Sequence, residues 1–296
     1  MRVGAELLRL ARAGGAREIF MVGIGRDVGK TTALRAVYAA ACAQGLQTGL
    51  ATIGWEGGQR GAGDDRAKPR LWVQAKTHFV TARTLVPATP AVEIVKQTDV
   101  MSPAGRLVYA RAASSAYYQL VGPPAASAVR EILAELRARC DVTIVDGAVD
   151  RVAALAGSQA AIVVACGAAA AGTVDEAADE VAALAARLRV CAVDESEPAL
   201  YLEGALTAAS AAALIAAGET RQVVVGDPTQ IALTGRAALR IFAQLRVRCR
   251  RPLRVVAATV ASIGPQRWFE PQALLHAVAS ITRLPTFDVY AGACAA

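Results

Sequence analysis

Residues 23–32 (G-I-G-R-D-V-G-K-T-T) have the composition needed to bind a polyphosphate. Such binding needs a loop without bulky side chains, so that main-chain N–H groups can converge on the phosphate oxygens. It also needs a cation near the outer phosphates and a hydroxyl for Mg²⁺. Gly25 and Gly29 allow the close approach, Lys30 provides the cation and Thr31 the hydroxyl. The segment is therefore predicted to bind a nucleoside triphosphate with Mg²⁺.

The spacing of the glycines departs from the common phosphate-loop pattern. That pattern places its first glycine five positions before the second, and here that position is Ile24, whereas Gly23 lies six positions before. The context is as expected, because an apolar strand (18–24) precedes the loop and good helix formers (30–43) follow it. Lys30 is one of four lysines among 32 basic residues, so its position is informative. The alternative is a glycine-rich turn followed by a lysine at a helix N-terminus.

A carboxylate ends a later apolar strand. Residues 141–146 (D-V-T-I-V-D) predict a buried strand with Asp146 at its carboxyl end. Open α/β sheets bind ligands at that edge. Asp146 is therefore a candidate for the Mg²⁺ shell, and its alternative role is that of a helix cap or turn former.

The rest of the chain alternates apolar strands with amphipathic helices. Runs 71–73 and 92–95 are ambiguous between strand and loop. Further helices are predicted near the amino end and over residues 129–139, 174–187, 208–217, 236–245 and 271–281. Further strands are predicted over residues 49–55, 160–165, 200–202, 222–225 and 253–260. The pattern predicts an α/β fold, a three-layer, doubly wound and mostly parallel sheet with helices on both faces.

We expect one domain over residues 1–296, because neither a repeat nor a Pro/Ser-rich linker divides the chain. A stretch at about 190–245 fits no pattern that we recognise and is expected to be an insertion or extension. Within it, Glu203, Thr207 and Asp227 could line a substrate site or cap helices, and capping is favoured.

The net charge of +7 favours anionic partners. The densest basic group comprises Arg246, Arg248, Arg250, Arg251 and Arg254. Because helix C-termini collect cations, we interpret the group as a solvated edge after a helix. No nucleic-acid partner is expected.

Six cysteines are widely spaced without a C-x-x-C pair, which is typical of small buried residues in a reduced compartment. Charged residues interrupt the apolar amino end, so no signal peptide is expected. The longest apolar run (160–172) is too short to span a bilayer. We expect a cytoplasmic protein without a membrane partner.

The loop resembles the variant phosphate loop of dethiobiotin synthetase, which has the same frame and an acidic residue before V-G-K-T. Residues 142–148 (V-T-I-V-D-G-A) resemble the second motif of that family, a strand ending in a carboxylate that holds Mg²⁺. The chain is thus similar to the SIMIBI class of P-loop NTPases, with MinD, the nitrogenase iron protein and the cobyrinic acid amide synthases. The likeness covers about residues 17–170, and the closing strand and helix in outline.

This resemblance implies ATP and Mg²⁺ as cofactors. Lys30, Asp27 at the acidic loop position, and Arg26 would act in catalysis. The implied nucleotide-binding residues are Gly25, Arg26, Asp27, Val28, Gly29, Lys30, Thr31 and Thr32.

The resemblance also implies ligands for the metal ion. Thr31 and Asp146 would hold Mg²⁺ together with a carboxylate from the loop after the second strand. Asp65 or Asp64 best fits the family spacing there, and Glu56 also lies in that loop. Each of these three carboxylates could instead be solvated.

Three departures separate the chain from dethiobiotin synthetase. Residues 51–55 lack the lysine that the enzyme uses for its diamine and carbamate. Residues 149–151 replace the glycines that approach substrate, and 258–259 lack the base-reading asparagine. A different acceptor is therefore expected, and adenine over guanine is an expectation from the class.

The first functional hypothesis is an ATPase whose hydrolysis drives a conformational or assembly step on a partner protein. A homodimer is one form that such an ATPase could take. Arg26 and Arg151 are candidates to stabilise the transition state. The string I-V-D-G-A-V-D-R resembles nucleotide-binding proteins that accompany adenosylcobalamin-dependent aminomutases, which would make such an enzyme the partner. The alternatives are an ATP-dependent ligase or kinase acting on a small carboxylate or carbamate, and a nucleotide switch with negligible catalysis.

Overall fold

The computed structural model describes residues 2–53, 70–147, 152–156 and 159–295. The chain divides into two compact units. One comprises Met1–Met21 and Leu34–Ala154, and the other comprises Val22–Ala33 and Leu155–Ala296. We refer to them as unit 1 and unit 2. The prediction of a single domain over residues 1–296 stays a prediction.

Strands and helices alternate through the first half of the chain. The helices are α1 (Arg2–Arg12), α2 (Lys30–Ala43) and α3 (Ala126–Arg137). The strands are β1 (Glu18–Gly23), β2 (Thr48–Thr52), β3 (Leu71–Val73), β4 (His78–Ala82), β5 (Val92–Ser102), β6 (Gly105–Ala112), β7 (Ala116–Tyr118) and β8 (Val142–Asp146).

The second half continues the alternation. Its helices are α4 (Val174–Leu188), α5 (Ala208–Ala216), α6 (Gly235–Gln244) and α7 (Pro271–Thr282). Its strands are β9 (Ala161–Gly167), β10 (Ala199–Tyr201), β11 (Leu206–Thr207), β12 (Gln222–Val225), β13 (Ile231–Ala232), β14 (Val247–Cys249), β15 (Arg254–Ala261), β16 (Thr286–Asp288) and β17 (Cys294–Ala295). In the described part of the chain, none of the helices combines the length and the apolar character that crossing a membrane requires.

A large, mostly parallel sheet flanked by helices makes the fold α/β, as predicted. Its strands in unit 1 follow the order β1-β8-β2-β4-β6-β5, and those in unit 2 the order β17-β16-β15-β9. β1, β8 and β9 are buried over their whole length, which is why their sequences are continuous apolar runs. The polar exceptions are Glu18, Thr143 and Asp146, and the buried carboxylate of Glu18 accepts a 2.5 Å hydrogen bond from the guanidinium of Arg137.

An antiparallel extension was not predicted. β6 pairs antiparallel with both β4 and β5. The register between β5 and β6 shifts at Ile94/Lys96 and again at Gln97/Met101. Such irregularities break the alternation of buried and exposed residues by which a strand is recognised. The ambiguous run 92–95 is therefore the start of a long strand, and its pattern is lost beyond the first irregularity.

Most of the unrecognised stretch at about 190–245 builds a small sheet of its own in unit 2. β10, β12 and β14 are parallel in that order, and β11 pairs parallel with β13. One apolar cluster joins the sheet to neighbouring helices through Ala183, Val190, Leu206, Ala211, Val223, Val225, Ile231, Leu233, Ala238, Leu245, Val247 and Cys249. The stretch is therefore a β-α-β-α-β arrangement with its own core.

Within unit 1, α1 packs closely against α2. Gly4 is buried, and a Cβ atom at that position would lie 2.0 Å from the carbonyl oxygen of Ala36. Such a distance is far inside van der Waals contact, so Gly4 sets how closely the two helix backbones approach.

We expect Gly4→Ala to destabilise the protein. In an exposed helix interior this change would stabilise by about 0.5–1 kcal/mol, but the clash reverses the sign and overpacking costs about 1–3 kcal/mol. Urea unfolding followed by fluorescence measures the difference. Arg12→Ala, on the exposed end of α1, serves as the control and should stay within about 0.5 kcal/mol of wild type. A Gly4→Ala protein that matches or exceeds wild-type stability would contradict the close packing.

Candidate functional site

The candidate phosphate loop connects β1 to α2 and lies in unit 2 from Val22 onward. Where β1 ends, the N–H of Ile24 donates to the carbonyl of Ala165 on β9 at 3.0 Å. The first helical hydrogen bond after the loop runs from the N–H of Ala33 to the carbonyl of Gly29 at 2.9 Å. The order of strand, loop and helix was predicted, and α2 begins at Lys30 as expected.

The backbone of the loop alternates in handedness. Asp27 has φ 52° and Gly29 has φ 86°, whereas Val28 between them and Lys30 at the start of α2 are outside the left-handed region. Alternating conformations turn successive N–H groups toward one side of the chain and form a concave site for an anion. Asp27 tolerates a positive φ better than most residues, because its short polar side chain can bond locally. The acidic residue thus has a conformational role in the loop.

Lys30 places its charge on the loop. Its Nζ donates to the carbonyl of Gly25 at 2.5 Å, so the long side chain folds back across five residues. Thr31 and Thr32 follow in the first turn of α2, and both side chains are half-buried. The first turn of a helix offers N–H groups without intrahelical partners and a partial positive charge. Cation, amides and hydroxyls are therefore concentrated where the strand turns into the helix.

The two loop glycines also have a packing role. A Cβ atom at Gly25 would lie 2.6 Å from Cβ of Ala170. One at Gly29 would lie 2.9 Å from Cγ2 of Val289 and 3.0 Å from Cβ of Ala261. Neighbouring residues of the protein contact the loop closely, so the conformation of the loop does not depend on a bound anion alone. Val28, between the glycines, is 1% exposed and anchors the loop in the core.

Arg26 and Asp27 are exposed at the tip of the loop. Their side chains are free to face a ligand or another molecule, unlike that of buried Val28. The structure therefore places two of the three predicted catalytic residues on the exposed part of the loop, and the third, Lys30, is half-buried.

Asp146 lies in unit 1, at the carboxyl end of β8 as predicted, and is 6% exposed. It pairs in register with Met21 of β1 on one side and with Thr52 of β2 on the other. Its carbonyl accepts hydrogen bonds from the N–H of Ile53 at 3.0 Å and from Oγ1 of Thr52 at 3.2 Å. The backbone of Asp146 is thereby held by strands on both sides.

Several predicted residues lie outside the described ranges. Asp65, Asp64 and Glu56 belong to residues 54–69, and Arg151 belongs to residues 148–151. Within the described ranges, no group of three or more His, Cys, Asp or Glu side chains is placed to hold a metal ion. A Mg²⁺ ion bound with a nucleotide takes most of its ligands from phosphate and water, so a site of that kind does not require such a group.

One acidic residue beside the loop was missed. Asp288 ends β16, is fully buried, and accepts hydrogen bonds at Oδ1 from the N–H groups of Tyr290 at 2.7 Å and Ala291 at 2.8 Å. Its neighbour Val289 touches the loop at Gly29. The signal that could have identified Asp288 is the one used for Asp146, a carboxylate at the carboxyl end of a buried strand.

Two of the three polar residues named in the stretch at about 190–245, Thr207 and Asp227, act as caps, as favoured. Thr207 caps α5 and forms a capping box with Ser210. Asp227 caps the 3-10 turn Pro228–Gln230 by accepting from the N–H of Thr229 at 3.0 Å. Capping therefore explains why a threonine and an aspartate stand at these two positions.

Two expectations need correction. The arginine group does follow the C-terminus of a helix, since α6 ends at Gln244, but residues 247–249 form strand β14 and Arg248 is half-buried, so the group is not simply a solvated edge. The cysteines are not all buried, since Cys191 and Cys294 are exposed. Burial raises the pKa of the Cys166 thiol to about 12, so that thiol is unreactive at neutral pH.

No protein-family model matches this chain, and a search of curated proteins finds no match to it. The function is therefore inferred from the residues and contacts of the chain itself.

The left-handed conformation at position 27 predicts the effect of substitutions there. A β-branched residue in this conformation costs about 1–2 kcal/mol, whereas asparagine adopts it readily. We expect Asp27→Val to have a lower free energy of unfolding than Asp27→Asn by about that amount, in urea unfolding without nucleotide. Both variants lose the carboxylate, so Asp27→Asn controls for charge. Equal stabilities would show that position 27 is not held at positive φ.

Proposed function

We propose that this protein is a Mg²⁺-dependent, ATP-binding P-loop protein of the dethiobiotin-synthetase-like kind. The observation that carries the proposal is the loop of alternating handedness at residues 27–30, which leads into a helix N-terminus and holds the Lys30 ammonium over its own backbone. Main-chain amides in such a loop bind phosphate oxygens. The close glycine contacts and buried Val28 preorganise the loop, so little conformational entropy is lost when an anion binds.

Different groups of the proposed site would bind the phosphates and the metal ion of a nucleoside triphosphate. The amides of the loop and of the first turn of α2 would cradle the phosphates, and Lys30 would neutralise charge near the outer phosphates. Thr31 and Asp146 are the residues that we propose to hold Mg²⁺. When bound, the ion supplies charge neutralisation at the phosphate oxygens. The buried, strand-fixed position of Asp146 suits that role, because a fixed carboxylate loses little freedom on binding a cation.

We further propose that ATP hydrolysis drives a conformational or assembly step on a partner protein. Arg26 and Asp27 at the exposed loop tip are the residues that we propose to act on the developing charge and the attacking water. The absence of a lysine from residues 51–55 and the replacement of glycines at 149–151 argue against the carbamate chemistry of dethiobiotin synthetase. Phosphate release from ATP without any added metabolite is the result expected of such an ATPase.

Lys30→Ala should remove most of the affinity for nucleoside triphosphate. Charge-assisted hydrogen bonds contribute about 1.5–3 kcal/mol, which corresponds to roughly a tenfold to hundredfold weaker Kd. The measurement is thermal stabilisation by ATP, GTP and their diphosphates, each with and without Mg²⁺. A ligand at a hundred times its Kd stabilises the folded state by about 2.7 kcal/mol, so the wild-type shift is readily detected.

The matched control for that experiment is Lys96→Ala, which removes a half-exposed lysine of β5. It should retain the full nucleotide-dependent shift. If Lys30→Ala also retained it, or if no nucleotide stabilised the wild-type protein, the phosphate loop would not be a nucleotide site.

Asp146→Asn should chiefly change the Mg²⁺ dependence. The amide keeps the size of the side chain and loses its charge, so we expect the Mg²⁺ midpoint for ATP-dependent stabilisation to rise about tenfold, as for the loss of one charge-assisted ligand. Asp141→Asn, at the start of β8, is the control because it removes the same charge from the other end of the strand. An unchanged Mg²⁺ titration for Asp146→Asn would leave Asp146 with a structural role alone.

A further inference from the structure

The small sheet of unit 2 has two unlike faces. Val223, Val225, Val247 and Cys249 point into the apolar cluster that includes Ala238 of α6. In parallel strands, residues paired in register point to the same face. Tyr201 pairs with Val224 and Val224 with Arg248, so the side chains of Tyr201 and Arg248 lie on the other face. Parallel sheets are usually covered on both faces, which makes an arginine- and tyrosine-bearing face unusual.

The strand β14 and its flanking residues supply most of this face. Arg246, Arg248 and Arg250 alternate with Leu245, Val247 and Cys249, and the latter three are buried. Alternation of this kind places the arginines on one side of the strand. We call Tyr201, Arg246, Arg248 and Arg250 the arginine face.

Arg250 is held in place by an aromatic ring. Its guanidinium carbon lies 4.7 Å from the centroid of the Tyr201 ring, across β12. The N–H of Arg250 donates to the carbonyl of Val225 at 3.0 Å, so Arg250 stands beside Gly226. A stacked guanidinium keeps its N–H donors free at the edge of the plane for a carboxylate or phosphate.

The charges on this face are only partly compensated. Arg246 forms an ion pair with Glu197. The carboxylate of Asp194 has its pKa lowered, first by hydrogen bonds from Ser196 and to a lesser extent by the nearby charges of Arg246 and Arg248. Within the described residues, no ion pair joins Arg248 or Arg250 to a carboxylate. The half-buried Arg248 and the exposed Arg250 therefore present positive charge to an incoming molecule.

The size and shape of the arginine face limit the kind of molecule that can bind there. Three strands about 4.8 Å apart and three residues long give a flat face of roughly 10 by 10 Å. A typical folded partner covers about 800 Å², and small molecules bind in concave pockets, so neither fits this face alone. Nucleic-acid binding typically uses about 6–10 phosphate contacts, more than two uncompensated arginines provide.

We propose that the arginine face binds an extended acidic segment of a partner protein. An extended segment with acidic residues at alternate positions presents its carboxylates on one side of the chain. Such a segment could give a carboxylate to each of the Arg248 and Arg250 guanidiniums, which would bind it through two N–H donors. The exposed ring of Tyr201 adds apolar contact beside them. This site is separate from the proposed nucleotide site and goes beyond it.

The test uses the full chain and an immobilised peptide of six Glu-Thr repeats, with six Gln-Thr repeats as the neutral counterpart and a twelve-residue oligothymidine as the nucleic-acid probe. Binding is measured at physiological salt by biolayer interferometry. The acidic peptide should bind, and the neutral peptide should not. Arg248→Glu combined with Arg250→Glu should weaken binding about tenfold or more, since reversal of two charges removes two attractions and adds two repulsions.

Single variants and a charge-matched control separate the face from the net charge of the protein. Arg250→Glu alone, which changes the net charge by the same amount as the control, should weaken binding severalfold. Tyr201→Phe should bind like wild type and Tyr201→Ala more weakly, because the ring and not its hydroxyl supports Arg250. Arg240→Glu is the control, since Arg240 is exposed on α6, the helix on the opposite face; it should change binding less than twofold.

Three results would overturn the proposal. The first is that the wild type does not bind the acidic peptide. The second is that Arg240→Glu loses as much binding as the variants of the arginine face. The third is that oligothymidine binds more tightly than the acidic peptide and that the double variant abolishes this binding. The last would assign the face to nucleic acid. Lys30→Ala should bind the acidic peptide normally, so a failure of the nucleotide proposal and a failure of this one are distinguishable.

Discussion

Complete burial of β1 is the constraint on which the candidate site depends. A strand buried on both faces must satisfy its backbone through its neighbours, and β1 does so through β8 in register. Where the strand ends, the N–H of Ile24 is still bonded to Ala165. The chain then turns into α2 within a few residues, which requires positive φ at Asp27 and Gly29. The backbone conformation that can bind a polyphosphate is therefore the same one that connects the buried strand to the helix.

Close packing makes that turn rigid. The small side chains of Ala170 and Ala261 leave room for the loop only while positions 25 and 29 carry no Cβ atom. The glycines therefore serve ligand approach and packing at once, and their presence alone does not distinguish a phosphate loop from a tight turn. The Lys30 ammonium donates to the carbonyl of Gly25, which adds a cation to the same turn.

Unit 2 combines two kinds of parallel sheet. β9 is buried throughout and β15 over its last five residues, whereas the small sheet has an apolar cluster on one side and Tyr201 and arginines on the other. The large sheet holds the loop that we propose to bind nucleotide. The small sheet carries the arginine face that we propose to bind a partner. A protein that couples nucleotide to a partner needs both kinds of surface.

The sequence by itself determined the α/β class, the order of strand, loop and helix at residues 18–43, and the place of Asp146 at a strand end. These features follow from local patterns of burial and from glycine spacing. Tertiary structure decided what local patterns do not contain. The irregular pairing of β5 hid a strand, Val289 after β16 came to lie against Gly29, and three arginines after α6 proved to share one side of β14 and its flanking residues. Each of these features depends on how a strand pairs with its neighbours, which a local pattern of apolar residues does not record.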